Sequence, residues 1–256
     1  MSLLATKDLT IRFGGHVAVN AVTCAFEPGT LTAIVGPNGA GKTTYFNLIS
    51  GQLKASAGQV TLDGRDLSGL SPSQRTRAGL GRAFQLTNLF PRLSVLENVR
   101  LAVQAARDGA HRRGLNLWSI WSDHRALMQR ADEVLNEVNM ADKENELVAN
   151  LPHGDQRKLE VALLMALESK VFMFDEPTAG MNAAEAPVIL NLIRKLKQDP
   201  TKTILLVEHK MDVVRELADR IIVLHNGTLV ADGDPATVIA SPIVQEAYLG
   251  IAKEAA

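Results

Sequence analysis

A glycine-rich stretch in the first fifth of the chain carries the strongest chemical signal in the sequence. It fits the phosphate-binding pattern G-x-x-x-x-G-K-[S/T], with an apolar strand-like run before it and a helix-like run after it. Its glycines let the backbone wrap around phosphate oxygens, and successive N–H groups form an anion nest at the positive end of a helix. Lys42 is expected to reach the β- and γ-phosphates of a nucleotide, and the Thr43 hydroxyl to ligate Mg²⁺. The predicted nucleotide-binding residues here are Gly36, Pro37, Asn38, Gly39, Ala40, Gly41, Lys42, Thr43 and Thr44.

Two further apolar runs end in side chains that could serve phosphoryl transfer, at Asp175-Glu176 and at Glu208-His209. That reaction needs neutralised charge, in-line geometry and a positioned water. Asp175 is predicted to hold Mg²⁺, directly or through water, together with Thr43. Glu176 is predicted to orient or deprotonate the attacking water, and the His209 imidazole to bond the γ-phosphate.

Gln85 and Phe13 are candidates whose residue type alone decides little. The Gln85 amide could accept a hydrogen bond from the attacking water and also meet the metal ion, but a surface glutamine is the favoured interpretation from the residues alone. The Phe13 ring, at the end of an early strand, could stack on adenine. The alternating pattern by itself favours a core phenylalanine instead.

The elements around these residues predict an α/β fold with a mostly parallel core sheet. A strand, the phosphate loop and a helix come first, a helical insert follows, and helices then alternate with apolar strands. Ligands of such sheets bind at the carboxyl ends of the strands. Because Gly36, Asp175 and His209 each follow a predicted strand closely, they are expected to share one site. Alternating runs at residues 8–13 and 22–26 predict an N-terminal antiparallel layer.

One domain is predicted over residues 1–256, with a helical subdomain inserted in its nucleotide-binding core. Ser94 and Glu97 form a capping box that opens a helix, and a Trp-containing stretch, residues 108–122, lies inside the insert. Asn226-Gly227 predicts a hairpin. The predicted divisions are residues 1–86 and 159–225 for the core with its β layer, 87–158 for the helical subdomain, and 226–256 for the C-terminal hairpin and tail.

Composition narrows the classes of protein that remain. The 256 residues carry a formal net charge of −1, which gives no electrostatic case for binding nucleic acid. Cys24 is the only cysteine, so an intrachain disulfide and a cysteine metal cluster are excluded, and Cys24 is expected to be a small core residue. We expect no signal peptide, and no apolar run approaches the ~20 residues that cross a bilayer.

Taken together, the phosphate loop, Gln85, Asp175-Glu176-Pro177 and Glu208-His209 resemble the ATP-binding cassette (ABC) ATPases over nearly the whole chain. The resemblance implies ATP hydrolysis with Mg²⁺, and it makes Gln85 a metal-contacting residue that also connects to membrane subunits. It also makes Phe13 the ring that stacks on adenine. In such proteins two cassettes sandwich two ATP molecules, each between one phosphate loop and the partner's signature loop.

The loop at residues 151–156 aligns with that signature but departs from it. Gly154 is retained, so one backbone N–H can still face a γ-phosphate of the partner's nucleotide. Pro152 stands where the family has Ser and supplies neither hydroxyl nor N–H, although proline suits a helix start. Asp155 adds negative charge, which is unfavourable near phosphate unless it points away. The departures, with Asn182 as a milder one, predict a weaker second site and asymmetric pairing with a different cassette.

Within the family, several features look like the ATPase subunits of high-affinity branched-chain amino-acid importers. The resemblance implies a second ATPase subunit, two membrane-spanning permease subunits, a periplasmic solute-binding protein and a place on the cytoplasmic face of the inner membrane. Urea, amide or lipid transporters, soluble ABC ATPases and a nucleotide-gated regulator are the alternatives. The features are residues 13–15, 81–85, 176–182, 208–211 and 246–250, together with the longish insert.

Overall fold

A computed structural model describes residues 3–83, 89–110, 120–181, 185–242 and 244–245, with the backbone alone for 107–110 and 120–124. Strands and helices follow one another in the predicted alternation, and no helix of the described residues combines the length and apolar character needed to cross a bilayer. The strands are β1 (Leu4–Phe13), β2 (His16–Phe26), β3 (Leu31–Val35), β4 (Ala57–Leu62), β5 (Arg65–Asp66), β6 (Leu80–Ala83), β7 (Val171–Asp175), β8 (Thr203–Val207), β9 (Arg220–His225) and β10 (Thr228–Gly233). The helices are α1 (Lys42–Ser50), α2 (Pro72–Arg77), α3 (Val95–Ala110), α4 (Ile120–Glu137), α5 (His153–Ala166), α6 (Ala186–Lys197), α7 (Met211–Leu217) and α8 (Pro235–Ala240).

A six-stranded sheet forms the centre of the molecule, in the order β10-β9-β3-β8-β7-β6. Every neighbouring pair from β9 to β6 is parallel, and only β10 runs antiparallel to its neighbour. All residues of β3, β7 and β8 are buried, because layers of structure cover both faces of the sheet. The predicted mostly parallel core sheet is therefore confirmed, and β3, β7 and β8 end side by side.

The N-terminal β layer is a four-stranded antiparallel sheet, in the order β2-β1-β4-β5. Its inward-facing side chains pack against α1 and the central sheet in one apolar cluster. Cys24 lies in that cluster and is 5% exposed, which confirms its expected place in the core. The layer thus supports the phosphate loop from one side.

The insert is helical in its described part, where α3 packs on α4 and α5. The predicted capping box is present, since Ser94 N donates to Glu97 Oε2 at 2.9 Å and Glu97 N donates to Ser94 Oγ at 3.2 Å. The predicted boundary after residue 158 falls inside α5, so this helix spans the insert and the core. Trp118 and the side chain of Trp121 lie outside the described residues.

The β9–β10 hairpin turns at Asn226-Gly227, as the sequence predicts, and both residues have positive φ. Gly227 N donates to Ala40 O at 3.0 Å, and Gly227 O accepts from Asn20 N at 2.8 Å. Packing is tight enough that a Cβ on Gly41 would lie 2.5 Å from Ala18 O. The hairpin and the N-terminal layer therefore hold the phosphate loop between them.

Candidate functional site

The phosphate loop connects β3 to α1, and its glycines adopt backbone conformations that other residues rarely reach. Gly36 has φ 151°, Gly39 has φ 79° and Gly41 has φ 96°. A Cβ on Gly36 would lie 2.1 Å from Leu224 O, whereas a Cβ on Gly39 would meet nothing within 4 Å. Gly36 is thus required by packing and by conformation, while Gly39 lies on the open side of the loop.

Lys42, the first residue of α1, bends back over the loop that precedes it. Its Nζ donates to Gly36 O at 2.7 Å and to Pro37 O at 3.0 Å, and the residue is 7% exposed. Burial lowers the pKa of Lys42, while the nearby carboxylates of Glu176 and Asp175 oppose that shift. The cation is therefore held at the mouth of the loop, close to both carboxylates.

Asp175 is the last residue of β7, and its carboxylate is almost fully buried. Oδ2 accepts a hydrogen bond from Arg82 Nη2 at 3.1 Å, and Oδ1 accepts none from the described residues. Burial raises the pKa of Asp175, an effect that the Arg82 guanidinium counteracts. One oxygen is thus fixed by an ion pair, and the other is left for a ligand.

Glu176 and His209 follow neighbouring strands, β7 and β8, and their side chains meet. Glu176 Oε1 lies 2.7 Å from His209 Nε2, and both side chains are accessible to solvent. Glu176 has φ 49°, a left-handed conformation that costs a non-glycine residue about 1–3 kcal/mol. Its backbone N–H donates to Val207 O at 2.9 Å, which holds the residue in that conformation. The carboxylate is therefore aimed by the backbone and not only by its rotamer.

Glu208 is a buried carboxylate that sequence reasoning mentioned only as a neighbour of His209. It is 2% exposed; Oε1 accepts from Thr178 Oγ1 at 3.0 Å, and Oε2 accepts from the backbone N of His209 at 2.8 Å. Lys210 Nζ donates to the same Thr178 hydroxyl at 3.3 Å. Glu208 thus ties the segment after β7 to the segment after β8. The sequence does carry a signal for Glu208, because it is a carboxylate directly after the apolar strand β8.

Phe13 is 51% exposed at the end of β1, where it pairs with His16 across a turn. The interpretation of Phe13 as a core residue is therefore wrong. The strand continues past the edge of the core that it covers, so the last member of the alternating series projects into solvent. Gln85 and Asn182 lie outside the described residues, so the predicted role of Gln85 at the metal ion and the predicted effect of Asn182 stay predictions.

The signature-like loop leads into α5, and Pro152 is the residue that caps this helix without a side-chain hydrogen bond. A Cβ on Gly154 would lie 2.9 Å from Glu185 Cδ, so the glycine allows a close approach of the segment before α6. Asp155 is paired with Lys143, and its Oδ1 accepts from Lys158 Nζ at 2.8 Å. Burial acts to raise the pKa of Asp155, but the bonds from both lysines hold it below its usual value.

The residues that could hold a divalent metal are few. Thr43 supplies a hydroxyl at the start of α1, and Asp175 supplies a buried carboxylate with one oxygen available. Both are hard oxygen donors of the kind that magnesium prefers. Over the described ranges, His, Cys, Asp and Glu side chains form no group of three or more that could hold a metal ion. This donor set fits an ion shared between protein oxygens and nucleotide phosphates.

Comparison with known proteins identifies the family to which this chain belongs. Residues 19–179 match the ABC transporter family. The chain is 38% identical to the high-affinity branched-chain amino acid transport ATP-binding protein LivG of Salmonella typhimurium over 249 residues, covering 97% of this chain and 98% of the relative. It is 37% identical to BraF of Pseudomonas aeruginosa, named for the same transport function, with the same coverage.

The fold has solved counterparts as well. The ADP conformation of MJ1267, an ATP-binding cassette of an ABC transporter, superposes with a TM-score of 0.81 at 27% identity. The match covers 98% of this chain and 99% of that chain. Sequence and structure comparisons therefore confirm the resemblance inferred from the motifs, and with it the predicted fold class.

Proposed function

The chain belongs to the ABC transporter family of ATP-hydrolysing cassettes, and on that premise we propose that it powers import of branched-chain amino acids as the ATPase subunit of a membrane complex. The observation that carries the proposal is the convergence of Lys42, Asp175, Glu176 and His209 at the carboxyl edge of one parallel sheet. Nucleotide binding follows from family membership, while the roles of individual residues, the metal and the solute are proposed.

ATP is the substrate, and the loop at residues 36–44 would bind its phosphates. The loop is open at Gly39, where a Cβ would meet nothing within 4 Å, and α1 adds the positive end of its dipole. Lys42 would exchange its two carbonyl contacts for phosphate oxygens, since a lysine with flexible methylenes can move between such acceptors. The exposed Phe13 ring would stack on adenine.

Magnesium would be held by Thr43 and Asp175, with Gln85 as a further contact, and when bound it neutralises the charge of the β- and γ-phosphates. Glu176 would orient the attacking water and take its proton, because its carboxylate follows β7 at the sheet edge and is accessible to solvent. His209, within hydrogen-bond distance of Glu176, would contact the γ-phosphate and thus distinguish ATP from ADP. The hydrogen bond between Glu208 and Thr178 would hold the segment after β7 and the segment after β8 together, and so keep Glu176 close to His209.

The permease subunits need a surface on this chain, and a groove between core and insert supplies one. The groove has a volume of about 910 Å³ and lies where α2 and β6 meet α3 and α5. We propose that a helix of a permease subunit docks there, because the groove is lined by both apolar and charged residues and lies beside the strand that leads to Gln85. Its lining includes Thr76, Arg77, Leu80, Ala106, Leu163 and Leu167.

The remaining partners follow from the same proposal. A second cassette would close the nucleotide site with its own signature loop, and Gly154 of this chain would serve the partner's nucleotide. A periplasmic solute-binding protein would deliver the amino acid, and this chain would lie on the cytoplasmic face of the inner membrane. The solute itself is expected to contact the other subunits.

Uptake measurements test the proposal. Cells that lack this gene should lose high-affinity uptake of labelled leucine, isoleucine and valine, and the wild-type gene should restore it. A gene carrying Glu176→Gln should fail to restore uptake although the protein accumulates normally. Normal leucine uptake in the deletion strain, together with lost uptake of urea or another amide, would assign the cassette to a different solute.

A further inference from the structure

One arginine joins the elements that carry the metal side of the site. Arg82 lies on β6, and its side chain is 9% exposed. Nη1 donates to Asn47 Oδ1 at 2.6 Å and to Ser50 Oγ at 2.8 Å, both on α1. Nη2 donates to Asp175 Oδ2 at 3.1 Å, at the end of β7, and the guanidinium carbon lies 5.0 Å from the centre of the Phe46 ring. One planar group therefore connects α1 to the carboxylate.

We infer that Arg82 is a positioning residue for magnesium, because it fixes Asp175 relative to α1, the helix that carries Thr43 in its first turn. The inference rests on the proposed role of Asp175 as a metal ligand. Arg82 bonds Oδ2 and leaves Oδ1 without a hydrogen-bond donor among the described residues, so the carboxylate is oriented but not fully occupied. Magnesium demands near-ideal octahedral geometry, which makes its affinity sensitive to the placement of each ligand.

The rigid guanidinium fork suits this task better than another cation would. Its donors diverge in one plane, so it can bond α1 and Asp175 together and set their separation. A lysine has a single ammonium on a flexible stem and would hold one element at a time. Residues that orient a metal ligand typically change metal affinity by about 10- to 100-fold when they are removed.

The chain offers a matched control in Arg75, a second buried arginine that also bonds α1. Its Nη1 donates to Leu48 O at 2.8 Å and to Ile49 O at 2.7 Å, in the same part of α1 that Arg82 bonds. The residue is 3% exposed, and within the described residues its hydrogen bonds go to backbone carbonyls and not to Asp175. Loss of Arg75 should therefore disturb α1 without changing the orientation of the carboxylate.

The test separates nucleotide affinity from its dependence on magnesium. Purified chains are titrated with methylanthraniloyl-ATP in EDTA, and Mg²⁺ is then titrated at fixed nucleotide. In Arg82→Gln the midpoint of the Mg²⁺ titration should rise by about 10- to 100-fold, with little change of affinity in EDTA. Arg82→Lys should give an intermediate shift. Arg75→Gln should weaken binding equally in both conditions and leave the Mg²⁺ midpoint in place.

Asn47→Ala keeps the test decisive if Arg82→Gln does not fold, since it removes one acceptor on α1 while Arg82 still pairs with Asp175. It should shift the Mg²⁺ midpoint in the same direction by a smaller factor. An unchanged or lower midpoint in the Arg82 and Asn47 variants, with a raised midpoint in Asp175→Asn, would overturn the inference and leave the proposed metal ligand standing. An unchanged midpoint in Asp175→Asn would instead refute the metal ligand itself.

Discussion

Charged side chains lie both at the carboxyl edge of the central sheet and in the signature-like loop before α5. The two regions differ in how those charges are paired. At the sheet edge, Lys42 lies close to two carboxylates, and Glu176 contacts the accessible His209. At the loop, Asp155 is paired with two lysines at once. Among the described residues, the first region leaves Asp175 Oδ1 without a donor, whereas the second engages both oxygens of Asp155 with lysines.

This difference changes how the departures from the family pattern are understood. From the sequence, the negative charge of Asp155 is expected to be unfavourable near a partner's phosphate. In the structure that charge is compensated by Lys143 and Lys158. Pro152 remains a departure without compensation, because the start of α5 has no side-chain cap. The loop therefore differs from the typical signature mainly at Pro152, which supplies neither the hydroxyl nor the N–H of a serine.

The largest effect is expected at the sheet edge, for Glu176→Gln. Loss of a general base typically costs about 10²- to 10⁴-fold in rate, so ATP turnover of the purified chain should fall by that factor while ATP binding persists. Phosphate release is the measurement. Glu168→Gln is the control, since Glu168 is exposed and has φ 52°, close to that of Glu176. Unchanged turnover in Glu176→Gln would refute Glu176 as the general base.

Lys42→Ala should weaken ATP binding, whereas Glu176→Gln should slow ATP turnover. Hydrogen bonds to charged groups contribute about 1.5–3 kcal/mol, so ATP affinity should fall by at least tenfold. Calorimetric titration with ATP measures it, and Lys170→Ala, which removes an exposed lysine paired with Asp63, is the control. Equal affinities in Lys42→Ala and the wild type would refute the assignment of the phosphate site.

Phe13→Ala tests the base end of the same site. If the ring stacks on adenine, ATP affinity should fall by about 1–3 kcal/mol, and affinity for inorganic triphosphate should not change. Phe90→Ala is a matched control, because Phe90 is a similarly exposed phenylalanine at 54%. A loss of equal size for ATP and triphosphate would mean that Phe13 acts on the phosphate loop and not on the base.

The two regions also differ in how far the sequence could predict them. The phosphate loop, the strand ends at Asp175 and Val207, and the capping box were predictable because each depends on local chemistry at fixed spacing. Arg82 was not identified, since its partners Asn47 and Asp175 lie 35 and 93 residues away along the chain. Tertiary pairing of this kind leaves no periodic pattern.

Phe13 shows the limit of alternation as a predictor of burial. The pattern gives the side of the strand on which a residue lies, but not where the covering layer ends. For the same reason the exposed ring was assigned to the core from pattern alone, and only the family resemblance assigned it to the nucleotide.

At the signature-like loop, Asp155→Asn tests whether the lysine pairs stabilise the fold. A carboxylate whose pKa is depressed in the folded state stabilises it above the unfolded pKa, near 4, and this contribution disappears as pH falls through the folded value. The variant should lose about 1 kcal/mol of unfolding free energy at pH 7 and match the wild type more closely below pH 4. Urea unfolding measures the difference, and Asp132→Asn, at an exposed position of α4, is the control.

Should the gap between the variant and the wild type stay constant from pH 7 to pH 3, the ion pairs would not be its source. The loop would then depend on the shape of Asp155 and not on its charge. In that case the pairs of Asp155 with Lys143 and Lys158 would not contribute to the free energy of unfolding, and the two regions would differ only in the contacts of their charges.

The smallest effect is expected for Pro152→Ser, which restores the hydroxyl that the loop lacks. In a Glu176→Gln background, where ATP is bound but not consumed, the serine should strengthen ATP-dependent association of cassettes by about 1 kcal/mol, near fivefold. Light scattering with and without ATP and Mg²⁺ measures the association. Pro152→Ala removes the ring without adding a hydroxyl, so an equal gain in both variants would trace the effect to backbone freedom at the start of α5. A gain confined to serine would trace the weak association to the missing hydroxyl and would support the predicted pairing with a different cassette.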